Sequence, residues 1–240
     1  MYELILLIAG AIAGGVASIA GFGIGSILTP LLSLWIDAKL AVAAVSIPHL
    51  VGTALRFWFI KDHVDRRVMW SFGLASAAGG VAGAALQRGT SDQRLMLLLA
   101  LLLLFVSASE LTGLARQMVF RGPAAWLAGA LSGLLGGLVG NQGGLRSAAL
   151  LNFKLSRDSF IATATVIGLF VDVARMPIYF SRAGSDLWNA RSMIVAATIG
   201  VVIGTLAGGK TLRRIPEPAF RRTVAVFLAA LGLWLASRSI

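Results

Sequence analysis

Three arginines stand inside stretches that are otherwise apolar: Arg56, Arg146 and Arg175. A guanidinium presents a planar fork of N–H donors that matches an oxyanion, so such residues are candidates to bind one. Two of them close polar stripes of identical spacing. Ser46, His49, Thr53 and Arg56 are separated by 3, 4 and 3 residues, as are Thr165, Gly168, Asp172 and Arg175. That spacing puts each set on one face of a helix. Asp172 can pair with Arg175 one turn away, and Asp172 or His49 can carry a coupling proton. The plainer alternatives are that Arg56 and Arg175 snorkel, each lying about 8–10 Å from its helix midpoint, and that His49 is a satisfied packing residue. Arg146 either balances a substrate anion or ties to Asp172.

A second constellation is glycine-rich. Ala20-Gly21-Phe22-Gly23-Ile24-Gly25 interrupts one long apolar stretch and Gly140-Asn141-Gln142-Gly143-Gly144 interrupts another. Glycine permits backbone that leaves helical geometry. Beyond each break a new half-helix opens, at Gly23, Ile24 and Gly25 and at Gln142, Gly143 and Gly144. Its free N–H groups and positive end suit an anion, and the amides of Asn141 and Gln142 add donors. The expected substrate site is therefore Gly21, Phe22, Gly23, Ile24 and Gly25, Asn141, Gln142, Gly143 and Gly144, with Arg56, Arg146 and Arg175. The competing reading is close helix packing through small residues.

The elements that must position these residues are membrane helices. Only 13% of the 240 residues are charged, against about 25% in a soluble domain, and 58% are hydrophobic. Apolar segments run over 4–36, 39–60, 68–86, 94–114, 123–153, 159–180, 191–209 and 219–237. Most have the length of about 20 residues that a spanning helix needs. The first and fifth are over 30 residues, about 45–50 Å as straight helix, too long for a core of about 30 Å. These two carry the glycine breaks. Irregular backbone at that depth survives only inside protein or beside a watery cavity, so each reads as two half-helices. The start of the chain, Met1-Tyr2-Glu3, has no basic region and reads as mature protein, not a signal peptide.

The chain also reads as a duplication, about 1–118 and 119–240. A shift of 119 lays Gly14, Gly21 and Gly25 on Gly133, Gly140 and Gly144, and Arg56 on Arg175; a shift of 121 lays Gly79 and Gly83 on Gly200 and Gly204. Apart from Arg56, Arg146 and Arg175, 18 of the 21 basic residues lie in or near loops. If each long segment crosses once, they divide eight against ten. If each re-enters and returns, they divide six against twelve. The six are Lys39, Arg88, Arg94, Arg182, Arg191 and Arg238. The twelve are Lys61, Arg66, Arg67, Arg116, Arg121, Lys154, Arg157, Lys210, Arg213, Arg214, Arg221 and Arg222. The uneven division is what lysine and arginine produce on the cytoplasmic side. The expected fold is an all-α polytopic membrane protein of two inverted repeats. Each has a broken or re-entrant first segment followed by three transmembrane helices, and both termini lie outside. The two GxxxG pairs serve internal packing or a homodimer.

The net charge of +11 is accounted for by these loops, so nucleic acid is not an expected partner. With no cysteine and two histidines, no disulfide or thiolate metal site can form, no catalytic triad is in prospect, and no cofactor or enzymatic activity is expected. A secondary transporter with a small anionic substrate is the leading reading. A passive anion channel, a membrane enzyme and a non-transporting assembly subunit are the alternatives.

The stretch Gly10-x-x-x-Gly14 … Gly21-Phe22-Gly23-Ile24-Gly25-x-x-x-x-Pro30, with its degenerate copy from Gly129 to Gly144, resembles the TauE/SafE sulfite exporter family of membrane permeases, end to end. The resemblance implies transport of small sulfur-containing anions, such as sulfite, sulfoacetate or related organosulfonates, across a bacterial inner membrane without ATP. The second copy departs from the pattern: Asn141-Gln142 stands where glycine or an aromatic is usual, and Ala149 stands opposite Pro30. Both changes fall in the expected site and bear on the substrate.

Overall fold

The computed structural model describes residues 1–114, 120, 123–211 and 217–239. Arg116, Arg121, Arg213 and Arg214, counted above among the loop charges, lie outside them. The described residues are helical and carry no strand. In chain order the helices are α1 (Tyr2–Ala20), α2 (Ile24–Leu32), α3 (Ala38–Ile60), α4 (Arg66–Leu86), α5 (Asp92–Thr112), α6 (Pro123–Val139), α7 (Gly143–Leu150), α8 (Arg157–Asn189), α9 (Arg191–Thr211) and α10 (Glu217–Ser239). Among the described residues six helices are long and apolar enough to cross a membrane: α1, α3, α4, α5, α8 and α9. The local starts are conventional. Asp37, Asp65, Ser91 and Ser156 cap α3, α4, α5 and α8 with a side-chain oxygen, which satisfies an otherwise orphaned first-turn N–H.

Each long apolar segment is broken where its glycines stand. Gly21 and Gly140 take left-handed backbone at φ 77 and 71, and each N–H closes on the carbonyl four residues back, at Ala17 and Gly136. Each broken segment returns to the face on which it began. The Tyr2 ring lies 6.3 Å from that of Trp35, joining the start of α1 to the end of α2. Phe72 packs on Gly129 near the start of α6 and meets Phe153, just past α7, edge to face at 6.3 Å. The re-entrant reading of the lengths therefore describes the molecule.

Close contacts fix the directions of the other helices. Gly10, Gly14 and Ser18 of α1 meet Ala197, Val201 and Thr205 of α9 in ascending order, so the two run parallel. In the same way Gly129, Gly133 and Gly137 of α6 meet Phe72, Ser76 and Gly80 of α4. By contrast α3 and α8 run antiparallel: His49 meets Asp172, Thr53 meets Gly168, and Arg56 meets Thr165. α5 and α10 are also antiparallel, with Ser107 donating to the Ala225 carbonyl and Gly232 against Leu104. Both ends of the described chain thus lie on one face, with the starts of α3, α5 and α9.

The tightest seams are glycine seams. A methyl at Gly79 or Gly83 would overlap the carbonyls of Ala130 and Leu134, and one at Gly204 or Gly208 would strike Ala11 and Gly15. In lipid no hydrophobic force drives helices together, so this close approach supplies the packing. It also engages Gly79, Gly83, Gly200 and Gly204 inside the chain, so these glycines are not a homodimer face. The contacts revise one register. Ala11 and Gly15 correspond to Ala130 and Leu134 at a shift of 119, and their partners Gly204 and Gly208 then correspond to Gly79 and Gly83 at a shift of 125, not 121. The starts of α4 at Arg66 and α9 at Arg191 differ by the same 125. The extra residues lie at the end of α8, which bends at Ala183 (φ −125, ψ 20) and continues to Asn189.

Candidate functional site

The two breaks touch. Gly25 packs on the Gly140 carbonyl, the Phe22 side chain lies on Gly143, and the Ser26 hydroxyl donates to Asn141 Oδ1 at 3.0 Å. Phe22, Gly23, Ile24 and Gly25, Asn141, Gln142 and Gly143 are all buried, as is Gly21. Gly144 is half-buried, against Val106. Gly23 and Gln142 are the residues before α2 and α7, as the sequence places them, and neither makes a side-chain cap. The two hairpins differ in kind. At the shift of 119, Phe22, Ile27 and Leu28 of the first stand opposite Asn141, Arg146 and Ser147 of the second. At these three positions the first hairpin is apolar and the second polar, while at Ser26 and Thr29, opposite Leu145 and Ala148, the sense is reversed.

Beside the breaks, α3 and α8 cross and bury a charged cluster. Arg146 and Arg175 are 1% and 0% exposed, Arg56 is 6%, and Asp172 is 0%. Arg56 and Arg175 therefore do not snorkel. Asp172 is occupied on both oxygens: His49 Nδ1 lies 2.5 Å from Oδ2, and Arg175 Nη2 donates to Oδ1 at 2.8 Å. His49 is thus held by a carboxylate and not by apolar packing alone. Arg175 Nη1 donates to the Gly136 carbonyl, and Arg56 donates to the Ala17 carbonyl at 2.6 Å and to Thr165 Oγ1 at 2.9 Å. Each arginine thereby braces the last turn of a half-helix, adding a second donor to a carbonyl that already accepts from the break glycine four residues on.

Arg146 is different. It enters from α7, and its Nη1 lies against Gly168, where a methyl would come within 3.1 Å. The small residue at 168 makes room for the guanidinium, which stands within electrostatic reach of Asp172, Arg56 and Arg175. Its Nε and Nη1 have no hydrogen-bond partner, nor do Asn141 Nδ2, Gln142 Nε2 or Ser147 Oγ. Asp172 is spoken for, so of the two roles open to Arg146 the tie to Asp172 is not the one its free donors describe. Three guanidiniums surround one buried carboxylate, leaving two positive charges uncompensated away from water. Unpaired buried charge is costly in a membrane interior, and an anion among the free donors would offset it.

The site also contains residues that the spacing of the sequence did not single out. Tyr179 lies four residues after Arg175, on the same helix face. Its hydroxyl donates to the Gly137 carbonyl at 2.5 Å, and the Arg175 guanidinium carbon is 5.7 Å from its ring centre. Gln87 donates to the next carbonyl, Leu138, at 2.9 Å. The i+4 relation to Arg175 was the available signal for Tyr179; Gln87 is brought in by tertiary packing alone. Of the expected site residues, Arg56, Arg146, Arg175, His49 and Asp172 come together with the two breaks, and Ser46 instead turns to its own helix, donating to the Ala43 carbonyl.

The profile of the family described as Sulfite exporter TauE/SafE matches residues 6–235. The chain belongs to the sulfite exporter TauE/SafE family. Membership makes it a multi-pass membrane transporter of the sulfite-exporter type, built of the helices described above. No curated protein and no solved structure matches the chain. For a TauE/SafE member, the six helices long enough to span are the frame that a multi-pass transporter requires.

Proposed function

We propose that this chain is a secondary transporter of small sulfur-containing anions, sulfite or an organosulfonate, with the substrate held at the second break. The observation that carries the proposal is Arg146, buried to 1% with Nε and Nη1 unpartnered, in the same short stretch of chain as the unpartnered Asn141 Nδ2, Gln142 Nε2 and Ser147 Oγ. A sulfur oxyanion offers several acceptor oxygens and the charge that the cluster lacks. Arg56 and Arg175 add positive potential while bracing the half-helices. Gly21 to Gly25, with Phe22 on Gly143, close the site from the first hairpin. His49 and Asp172 are the proton-coupling pair.

The motion is alternating access between two inverted halves, about 1–118 and 119–240. What supports this reading is the antiparallel crossing of α3 and α8 and the matched seams of α1 with α9 and α6 with α4. The membrane is the bacterial inner membrane, with the termini periplasmic; the division of basic residues, six against twelve, supports that orientation.

The test is thermal unfolding of the detergent-purified protein with sulfite, sulfate, thiosulfate, sulfoacetate, taurine or chloride, in the parent and in Arg146→Met. A ligand at about 100 times its Kd stabilises the folded state by about 2.7 kcal/mol. The expected result is a rise with a sulfur oxyanion and none with chloride, lost in Arg146→Met, which keeps its fold because it removes an uncompensated charge. A rise with no sulfur anion overturns the substrate class; a rise that persists in Arg146→Met overturns the site.

A further inference from the structure

On the face that carries the termini, a cavity of about 580 Å³ is lined by residues that include Lys39, Gln87, Arg88, Tyr179, Arg182 and Asp186. Of all its lining residues, Tyr179 is the one with a described contact to the charged cluster. Its ring lies over Arg175 and its hydroxyl is bonded to Gly137. The residue is only 3% exposed, so it separates the cavity from the guanidiniums behind it. We infer that Tyr179 is the gate between this vestibule and the buried anion site, shut by its hydrogen bond to the Gly137 carbonyl.

Three observations carry the assignment. The first is position: Tyr179 is at once vestibule wall and neighbour of Arg175. The second is what holds it. The last-turn carbonyls of α6 are taken in succession by Arg175 at Gly136, Tyr179 at Gly137 and Gln87 at Leu138. Movement of this half-helix relative to α8 must break the tyrosine bond, so opening and the hairpin's motion are one event. The third is asymmetry. At the shift of 119 the residue opposite Tyr179 is Ile60, which has no side-chain donor for the corresponding carbonyl at Ser18. The latch is therefore present on the termini side of the cluster and has no counterpart on the other. A neutral hydroxyl that lets go of a carbonyl costs less to open than an ion pair.

The inference builds on the anion site proposed above, and its test is independent of which anion binds. The chain contains no cysteine, so a single introduced thiol reports alone. Thr53, 1% exposed, faces Gly168 behind Tyr179 and serves as Thr53→Cys. In full-length protein reconstituted in liposomes, this thiol is labelled with a membrane-impermeant, negatively charged methanethiosulfonate applied to the termini side. The expected result is labelling about tenfold faster when Tyr179→Phe removes the one hydrogen bond, and faster still with Tyr179→Ala. Unchanged labelling in Tyr179→Phe and in Tyr179→Ala overturns the gate. If Tyr179→Ala does not fold, Tyr179→Phe decides alone, since it keeps the ring. Protection of the same thiol by sulfoacetate reads the anion site separately: acceleration without protection leaves the gate standing and removes that substrate.

Discussion

Arg56 and Arg175 brace equivalent carbonyls, those of Ala17 and Gly136, each four residues before a glycine in left-handed backbone. Arg175 does a second thing that Arg56 does not: it holds Asp172 at 2.8 Å. Its planar fork reaches the two partners from separate nitrogens, a span that the compact ammonium of lysine does not reproduce. Arg175→Lys is therefore expected to keep the charge and lose the brace, lowering stability by about 1.5–3 kcal/mol. Arg175→Ala is expected to cost more, about 3–5 kcal/mol, because Asp172 is then left buried and underpaired. Denaturation of the two purified variants checks the order, and an alanine variant as stable as the lysine one would show that Asp172 does not depend on this arginine.

The pair of His49 and Asp172, 2.5 Å apart and buried, joins α3 to α8 across the crossing. Gln in place of His49 can still donate to the carboxylate but does not titrate. His49→Gln is therefore expected to fold and to move its anion, while its flux no longer responds to an imposed pH difference. Asp172→Asn is expected to lose both the response and stability, since it leaves Arg175 without a counter-charge. Flux into liposomes, measured with and without a pH gradient, is the check; a His49→Gln protein with the parent's pH response would strike His49 from the coupling.

What was legible beforehand follows from which signals are local. Both breaks stood where a glycine cluster fell inside a segment too long for the membrane, and both polar stripes were read from side-chain spacing alone. The fold-back of the hairpins was legible because length and loop charge agreed. Registers were not. A GxxxG pattern is nearly self-similar under a slip of four residues, so Gly79 could be laid on Gly200 or on Gly204 with equal ease; with the added residues at the end of α8, near Ala183, it is Gly204 and Gly208 that meet Ala11 and Gly15 as Gly79 and Gly83 meet Ala130 and Leu134. Gln87 and Ser26 reach the site only through tertiary packing, and nothing in their neighbours announces it. The division of labour between Arg146 and Arg175 was also invisible, because it depends on which donors find partners.

The two break glycines give a sharper test of the hairpins than their shared conformation suggests. Gly21 and Gly140 both sit at positive φ, 77 and 71, where any Cβ costs about 1–2 kcal/mol. They differ in what a Cβ would meet. At Gly21 there is nothing within 4 Å, while at Gly140 the methyl would lie 2.9 Å from Thr29 Oγ1 on α2. Gly21→Ala is thus expected to show the backbone cost alone. Gly140→Ala is expected to cost more and to push the two hairpins apart at the point where Ser26 holds Asn141. A Thr29→Ala change should then relieve Gly140→Ala and leave Gly21→Ala untouched. Unfolding of the five single and double variants measures this coupling directly. If Thr29→Ala rescues both glycine variants equally, the contact between the hairpins at Gly140 is not what distinguishes them.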